Sequence, residues 1–289
     1  MKVLRLGVFV AILVGFVVAA TRVARSVTHA FAPWRAPVDG PAAFLAHGRG
    51  PATRTVLVCA GDSITHGVLS SNYLDPLRAR LGDQGVEIVN AGINGNLAWN
   101  VLQRLDDVVA CRPDAVSLLV GTNDVMGTQG PTWETTYRRQ QHIPVTPTLA
   151  RYRESVRAIL GRLRAETGAR IAVLDLPPIG EDLGSEINGL VRIYNATLRE
   201  VATEAGVPVL PLHDGLVALL PDGHKPPPFE GRRDAMGSAI VRRLVLRRSW
   251  DRVSADHGLA LLTDHLHLND RAASVTAELI EEWLLAETR

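Results

Sequence analysis

The chain has 289 residues, 46% of them hydrophobic, which suits one large domain or two small ones with a sizeable core and excludes a disordered protein. Lys and Arg number 31 against 30 Asp and Glu, so the formal net charge of +1 sets up no global field for nucleic acid or another polyanion. The two cysteines, Cys59 and Cys111, have neither the spacing nor the company of a zinc site and read as small core residues, with a disulfide as the alternative.

Lys2 and Arg5 precede an uncharged stretch from Leu6 to Thr21, a charged lead followed by an apolar segment as in export signals. Arg22 and Arg25 follow at once, and the stretch falls between a signal core and a full membrane span. Residues 1–21 are therefore expected to be a signal peptide, cleaved to release a secreted protein, or a retained membrane anchor. Pro33, Pro37, Pro41 and Pro51 interrupt the next stretch, and residues 22–52 read as a linker.

From residue 53 to 289, short β-branched runs alternate with segments of helical period. The strand candidates are Thr55–Ala60, Val86–Asn90, Ala115–Val120, Arg170–Leu176 and Val207–Leu212. Between them, Asn96–Ala110 sets Leu97, Val101, Leu102, Leu105 and Val109 on one helical face, and Leu149–Gly168 does the same with Tyr152, Val156, Ile159, Leu160 and Leu163, Gly168 acting as a stop. A third helix is predicted over Glu186–Glu204 and a last one from Ala272. Nearly continuous apolar strands joined by helices imply a five-stranded parallel sheet covered on both faces, a three-layer α/β/α sandwich. Residues 126–148 and 222–259 break the alternation and read as inserted loops; within the second, Ile240, Val241, Leu244 and Val245 lie near one helical face with Arg242, Arg243, Arg247 and Arg248 around it.

In an open parallel sheet, ligands collect where strands end in loops. Here those loops are Gly61-Asp62-Ser63, Asn90 to Asn96, and Gly121-Thr122-Asn123-Asp124. Each alone is an ordinary turn composition. Together they offer a hydroxyl, backbone N–H groups on glycine and a carboxamide donor, the parts acyl transfer requires once a base and its orienting carboxylate are added. Asp264 and His267, three apart in the stretch Thr263–Asp270, can supply both. His213 beside Asp214 is a competing base at another strand end; Asp264, His265 and His267 could alternatively form a metal cluster. Asp62 and Asp124 read as loop holders that accept backbone hydrogen bonds. No G-x-S-x-G, P-loop or G-x-G-x-x-G occurs, which removes the α/β-hydrolase elbow and nucleotide templates.

Ser63 in GDSIT, Gly95 in NAGINGN, Asn123 in GTND, and Asp264 with His267 in DHLH resemble, in this order, the four signature blocks of the SGNH (GDSL-like) hydrolases. The resemblance implies a flavodoxin-like sheet and a serine esterase or lipase with Ser63 as nucleophile, His267 as base and Asp264 as its orienter. It implies oxyanion donors from the Ser63 N–H, the Gly95 N–H and the Asn123 side chain, and no metal or organic cofactor. The family's small residue after the aspartate is here His265, which is expected to line the cleft or face solvent. The substrate expected is a small-molecule or lipid ester, with membrane association possible through the N-terminal segment or the basic insert. An esterase or acyltransferase acting on carbohydrate O-acyl groups would use the same apparatus, and a non-catalytic carbohydrate- or lipid-binding module is the rival from another class. If His267 is the base, activity should fall at acid pH with a midpoint near that of an ordinary histidine.

Overall fold

A computed structural model of the chain describes residues 35–286 except Leu69, Arg232 and Arg233, together with positions 15, 18 and 21. Apart from those three positions, the leader expected over residues 1–21 and the first part of the expected linker therefore lie outside the described residues. Among the described residues, no helix is long and apolar enough to cross a membrane.

The chain enters through α1 (Pro41–His47) and β1 (Thr55–Gly61), then α2 (Ser63–His66), α3 (Leu74–Leu81) and, after a 3-10 turn, β2 (Val86–Gly92). α4 (Ala98–Gln103) and α5 (Leu105–Ala110) lead to β3 (Ala115–Leu119), followed by α6 (Thr122–Gly127), α7 (Pro131–Gln140), α8 (Leu149–Glu166) and β4 (Arg170–Leu174). The remainder is α9 (Glu186–Glu204), β5 (Val209–Leu210), α10 (Leu212–Val217), α11 (Asp234–Leu244), α12 (Trp250–Asp256) and α13 (Asp270–Leu285).

The five strands are parallel in the order β2-β1-β3-β4-β5. Because strand side chains alternate, β1 sends Val56, Val58 and Ala60 into one core and Leu57 and Cys59 into the other. The first core is closed by α4, α5, α8 and α9 through residues such as Val101, Leu105, Ile159, Leu163 and Val191; the second by α3, α10 and α13 through Leu77, Leu216 and Ile280. Burial on both faces is why the strands read as continuous apolar runs, and each fully buried Leu or Val contributes about 1.5–3 kcal/mol. Cys59 and Cys111 are both free and buried, as core packing requires, and burial pushes the Cys59 thiol up to about 12.

Chain direction across the sheet reverses at β1, whose neighbours are β2 and β3. The carboxyl ends of β1 and β3 therefore flank the topological switch point, where parallel sheets bind ligands. Gly61 is required there: a Cβ on it would lie 2.4 Å from the Leu119 carbonyl oxygen and 2.2 Å from Thr65 Oγ1.

Four local expectations need correcting. The helix predicted over Asn96–Ala110 is two helices broken at Arg104 (φ −112°, ψ 19°), because the guanidinium turns inward to donate to Asn96 Oδ1 (2.8 Å) and the Gly61 carbonyl (2.9 Å). The lead-in contains helix α1, whose Phe44 packs on the core, and Asp39 just before it accepts from Asn90 N at 3.1 Å. Residues 126–148 hold the end of α6 and all of α7 rather than a loop. The basic amphipathic stretch of the second insert is interrupted after Leu244, and Ser249 caps a new helix by accepting from Arg252 N. Arg242 and Arg248 both pair with the half-buried Asp256, which draws part of the basic face into an internal ion-pair cluster.

Candidate active site

Ser63 is the first residue of α2 and leaves β1 through Asp62, whose Oδ1 accepts from Ile64 N at 3.0 Å and caps the turn. On the far side of the chain, residues 262–268 form a tight loop: Leu262 bridges Leu268, and Thr263 N donates to the His267 carbonyl at 2.7 Å. Inside it, Asp264 Oδ1 accepts from Leu266 N (3.1 Å) and His267 N (2.9 Å). The loop thereby fixes one carboxylate oxygen and turns the imidazole toward it: His267 Nδ1–H donates to Asp264 Oδ2 at 2.8 Å, and Nε2 lies 2.9 Å from Ser63 Oγ. With Nδ1 protonated, Nε2 is the acceptor for the serine hydroxyl.

All three side chains are buried. Burial opposes a charged His267, but the charge and hydrogen bond of Asp264, with Asp62 behind them, outweigh it and hold the imidazole above its ordinary value. Burial likewise opposes the Asp264 carboxylate, and His267 together with the two backbone N–H groups brings it below the usual range. Burial pushes Asp62 up to about 6, against the Ile64 N–H and the His267 and Arg104 charges.

The turn after β2 brings Gly95 to the same edge at φ +74°, a conformation that favours glycine, and a Cβ there would also lie 2.4 Å from Gln141 Nε2. Asn123, on the first turn of α6, donates from Nδ2 to the Asn96 carbonyl (2.9 Å) and toward Asp62 Oδ2 (3.3 Å). Its carbonyl oxygen accepts from the Tyr137 hydroxyl at 2.7 Å, which orients the amide. Gln141 braces the Gly95 turn, donating to the Asn94 carbonyl and accepting from Asn96 Nδ2. Asp124 accepts from Ala98 N at 3.0 Å, a loop-holding contact of the kind expected for it and for Asp62.

His213 does not enter this constellation: its backbone N–H donates to Asp175 and its ring lies 3.4 Å from Asp214. His265 adopts φ +73°, and its ring lies 5.6 Å from that of Phe229, so it lines the region beside the site. Among the described residues, no group of three or more His, Cys, Asp or Glu side chains is disposed to hold a metal ion.

Several supporting residues were not foreseen. Tyr137 and Gln141 come from the first insert. Glu181, buried after β4, accepts from Ala260 N (2.7 Å), Leu261 N (2.7 Å) and Leu262 N (2.9 Å) and from His224 Nε2 (2.6 Å). It ties the second insert to the strand of chain that carries Asp264 and His267. His257 donates from Nδ1 to the Thr263 carbonyl at 2.6 Å on the same loop.

Comparison with known proteins bears on the family and the fold. An acetylxylan esterase of Geobacillus stearothermophilus is 35% identical over 86 residues, a match that spans 24% of this chain and 39% of that enzyme. The solved structure of the acetylxylan esterase from Geobacillus stearothermophilus aligns with a TM-score of 0.55 and 18% identity, covering 79% of this chain and 93% of that one. The structure of another acetyl xylan esterase aligns with a TM-score of 0.54 and 19% identity over 79% of this chain and 99% of that one. At these identities the structural likeness establishes the shared fold, a five-stranded parallel sheet flanked by helices. The model of the GDSL-like lipase/acylhydrolase family matches residues 59–274, which include every one of the residues assembled above. A non-catalytic module is thereby set aside: the chain belongs to the GDSL-like lipase/acylhydrolase family and is an ester-hydrolysing enzyme.

Proposed function

We propose that the enzyme removes acyl groups, acetyl foremost, from a carbohydrate ester through a covalent acyl-enzyme on Ser63. The observation that carries the reading is the unbroken hydrogen-bond chain from Ser63 Oγ through His267 to Asp264. His267 Nε2 takes the hydroxyl proton as Ser63 Oγ attacks the ester carbonyl, and Asp264 stabilises the imidazolium that forms. The Ser63 N–H, the Gly95 N–H and the Asn123 amide receive the developing oxyanion. The imidazolium then protonates the departing sugar oxygen, and a water, deprotonated by His267, releases the acid and regenerates Ser63. The carbohydrate side of the reading is supported by the acetylxylan esterase relative; the lead of Lys2 and Arg5 before Leu6–Thr21 supports export, with the hydrolase domain spanning residues 53–289 behind a leader and linker.

The test is turnover of acetylated xylo-oligosaccharides and of p-nitrophenyl esters of increasing chain length by the native chain and by Ser63→Ala, with product analysis for free acetate. Acetate release that vanishes in Ser63→Ala and falls steeply beyond short acyl chains is expected. Persistent turnover in Ser63→Ala removes the nucleophile assignment. A preference for long-chain esters moves the enzyme to lipids, and acyl groups recovered on a second sugar rather than as acetate make it a transferase.

A further inference from the structure

A cavity of about 410 Å³ opens where the two inserts meet the segment after β4, and Ser63, Asp264 and His267 are not among its lining residues. Its apolar lining includes Trp133, Ile179 and Phe229, and its polar lining comprises Gln129, Glu181, Asp182, Ser185, Glu186 and Glu230. Both inserts contribute: Gln129 and Trp133 belong to the first, Phe229 and Glu230 to the second.

Two chains of contact join the cavity to the reacting centre. On one side, Trp133 stacks on Tyr137 with ring centroids 6.0 Å apart, and Tyr137 holds the Asn123 amide. On the other, Gly180 N, in the cavity wall, donates to the His265 carbonyl at 2.7 Å, and Phe229 packs on the His265 ring between Asp264 and His267. The His265 Nδ1 atom is buried without a hydrogen-bond partner among the described residues, and a Cβ on Gly180 would lie 3.6 Å from it. The cavity wall thus touches His265, the residue after Asp264, and the cavity has the size of a small-molecule site.

The chemistry of the lining narrows its occupant. An acyl chain gains nothing from a rim of carboxylates, and an anion is repelled by them. A neutral sugar ring matches both parts, laying C–H faces on Trp133 and Phe229 while its hydroxyls donate to Glu186 and Glu230 and exchange hydrogen bonds with Gln129.

We propose that this cavity is a glycosyl subsite, holding a neutral sugar unit of the alcohol part of the ester beside the scissile acyl group, and that its acidic rim disfavours units bearing a uronic carboxylate. The assignment rests on the carbohydrate-ester reading above for its connection to catalysis.

The experiment is calorimetric titration of the Ser63→Ala chain with xylotetraose and with a glucuronate-substituted xylotetraose. It is paired with kcat/KM of the Ser63-containing enzyme on acetylated xylotetraose and on p-nitrophenyl acetate. Xylotetraose should bind the Ser63→Ala chain, and adding either Trp133→Ala or Phe229→Ala should weaken it by about tenfold or more, as loss of an aromatic platform implies. Glu186→Gln with Glu230→Gln should narrow the gap between the acidic sugar and the neutral one. In the active enzyme, Trp133→Ala should raise KM for the oligosaccharide and cost about tenfold more kcat/KM on it than on p-nitrophenyl acetate. A purely structural role through Tyr137 would instead lower both substrates alike through kcat. Absence of xylotetraose binding, or binding indifferent to both aromatic substitutions, overturns the subsite even if deacetylation proceeds. Xylotetraose binding that depends on Trp133, in an enzyme that releases no acetate from the acetylated sugar, leaves the subsite standing and removes the carbohydrate-ester reaction instead.

Discussion

His267 Nε2 lies 2.9 Å from Ser63 Oγ although 204 positions of sequence separate the two residues. Proton transfer from Ser63 to Nε2 requires a neutral imidazole, whereas the Asp264 carboxylate on its other nitrogen favours the charged form strongly enough to overcome burial. Those two demands set the pH dependence. As pH falls through the His267 value, Nε2 gains a proton and no longer accepts one from Ser63, so the rate falls on the acid side with a midpoint above the ordinary histidine value of about 6.5 rather than at it. Asp264→Asn should lower kcat by about 10⁴-fold and move the remaining acid limb downward, because the partner that raised the imidazole is gone. A kcat/KM profile of wild type and variant on p-nitrophenyl acetate checks both; an unmoved limb would sink the assigned pairing.

Asn123 is oriented by Tyr137, whose hydroxyl donates to its carbonyl oxygen and so fixes Nδ2 toward the Asn96 carbonyl and Asp62 Oδ2. Asn123→Ala should reduce kcat by about 10²–10³-fold, the usual cost of an oxyanion donor. Tyr137→Phe removes only the orienting bond, and a fall in kcat of about tenfold with KM little altered is expected. The double variant should lose no more than Asn123→Ala alone, since Tyr137 acts through that amide. Additive losses in steady-state kinetics would show that Tyr137 works by another route.

Glu181 tests how the loop carrying Asp264 and His267 is held. Its two oxygens take three consecutive backbone N–H groups, from Ala260 to Leu262, just before Asp264. In Glu181→Gln one oxygen becomes an NH2 that faces donors, leaving buried N–H groups without acceptors. A loss of about 2–4 kcal/mol follows from the cost of unpaired groups in a charge-assisted cluster. Thermal unfolding should register a clear drop in Tm, and cleavage by a protease within residues 222–259 should accelerate. A Tm equal to wild type would mean that the loop stands without this carboxylate.

The residues differ in how visible they were. The loops ending β1, β2 and β3 were legible because strand ends are marked locally, by apolar runs stopping at Gly, Asn and Asp, and the parallel topology carries those ends to one edge. The Glu186–Glu204 helix was legible for the same local reason, its apolar stripe being uninterrupted. Asp264 and His267 were legible because three positions of spacing suffice to pair them. Glu181, 80 positions from Leu261, and Gln141, 45 positions from Asn96, have no such local signature; each works by contacts that only the folded chain creates. Arg104 misled in the opposite sense: its neighbours have a perfect helical period, and the break appears because a buried carbonyl and an asparagine elsewhere attract the guanidinium.

Asp124 gives a stability prediction whose sign is opposite to that of an ordinary salt-bridged carboxylate. Burial, reinforced by the charge of Asp62, pushes it up to about 8, while the Ala98 N–H pulls the other way. In the unfolded chain the same carboxyl ionises near 3.9. Between those values the folded state holds a proton that the unfolded state has released, so unfolding free energy decreases as pH rises through this window. Asp124→Asn keeps an oxygen to accept from Ala98 N and removes the titration. The variant should therefore gain in Tm relative to wild type on going from pH 5 to pH 8, the difference growing with pH. Parallel Tm curves for the two proteins across that range would mean that Asp124 ionises in the fold as it does in water.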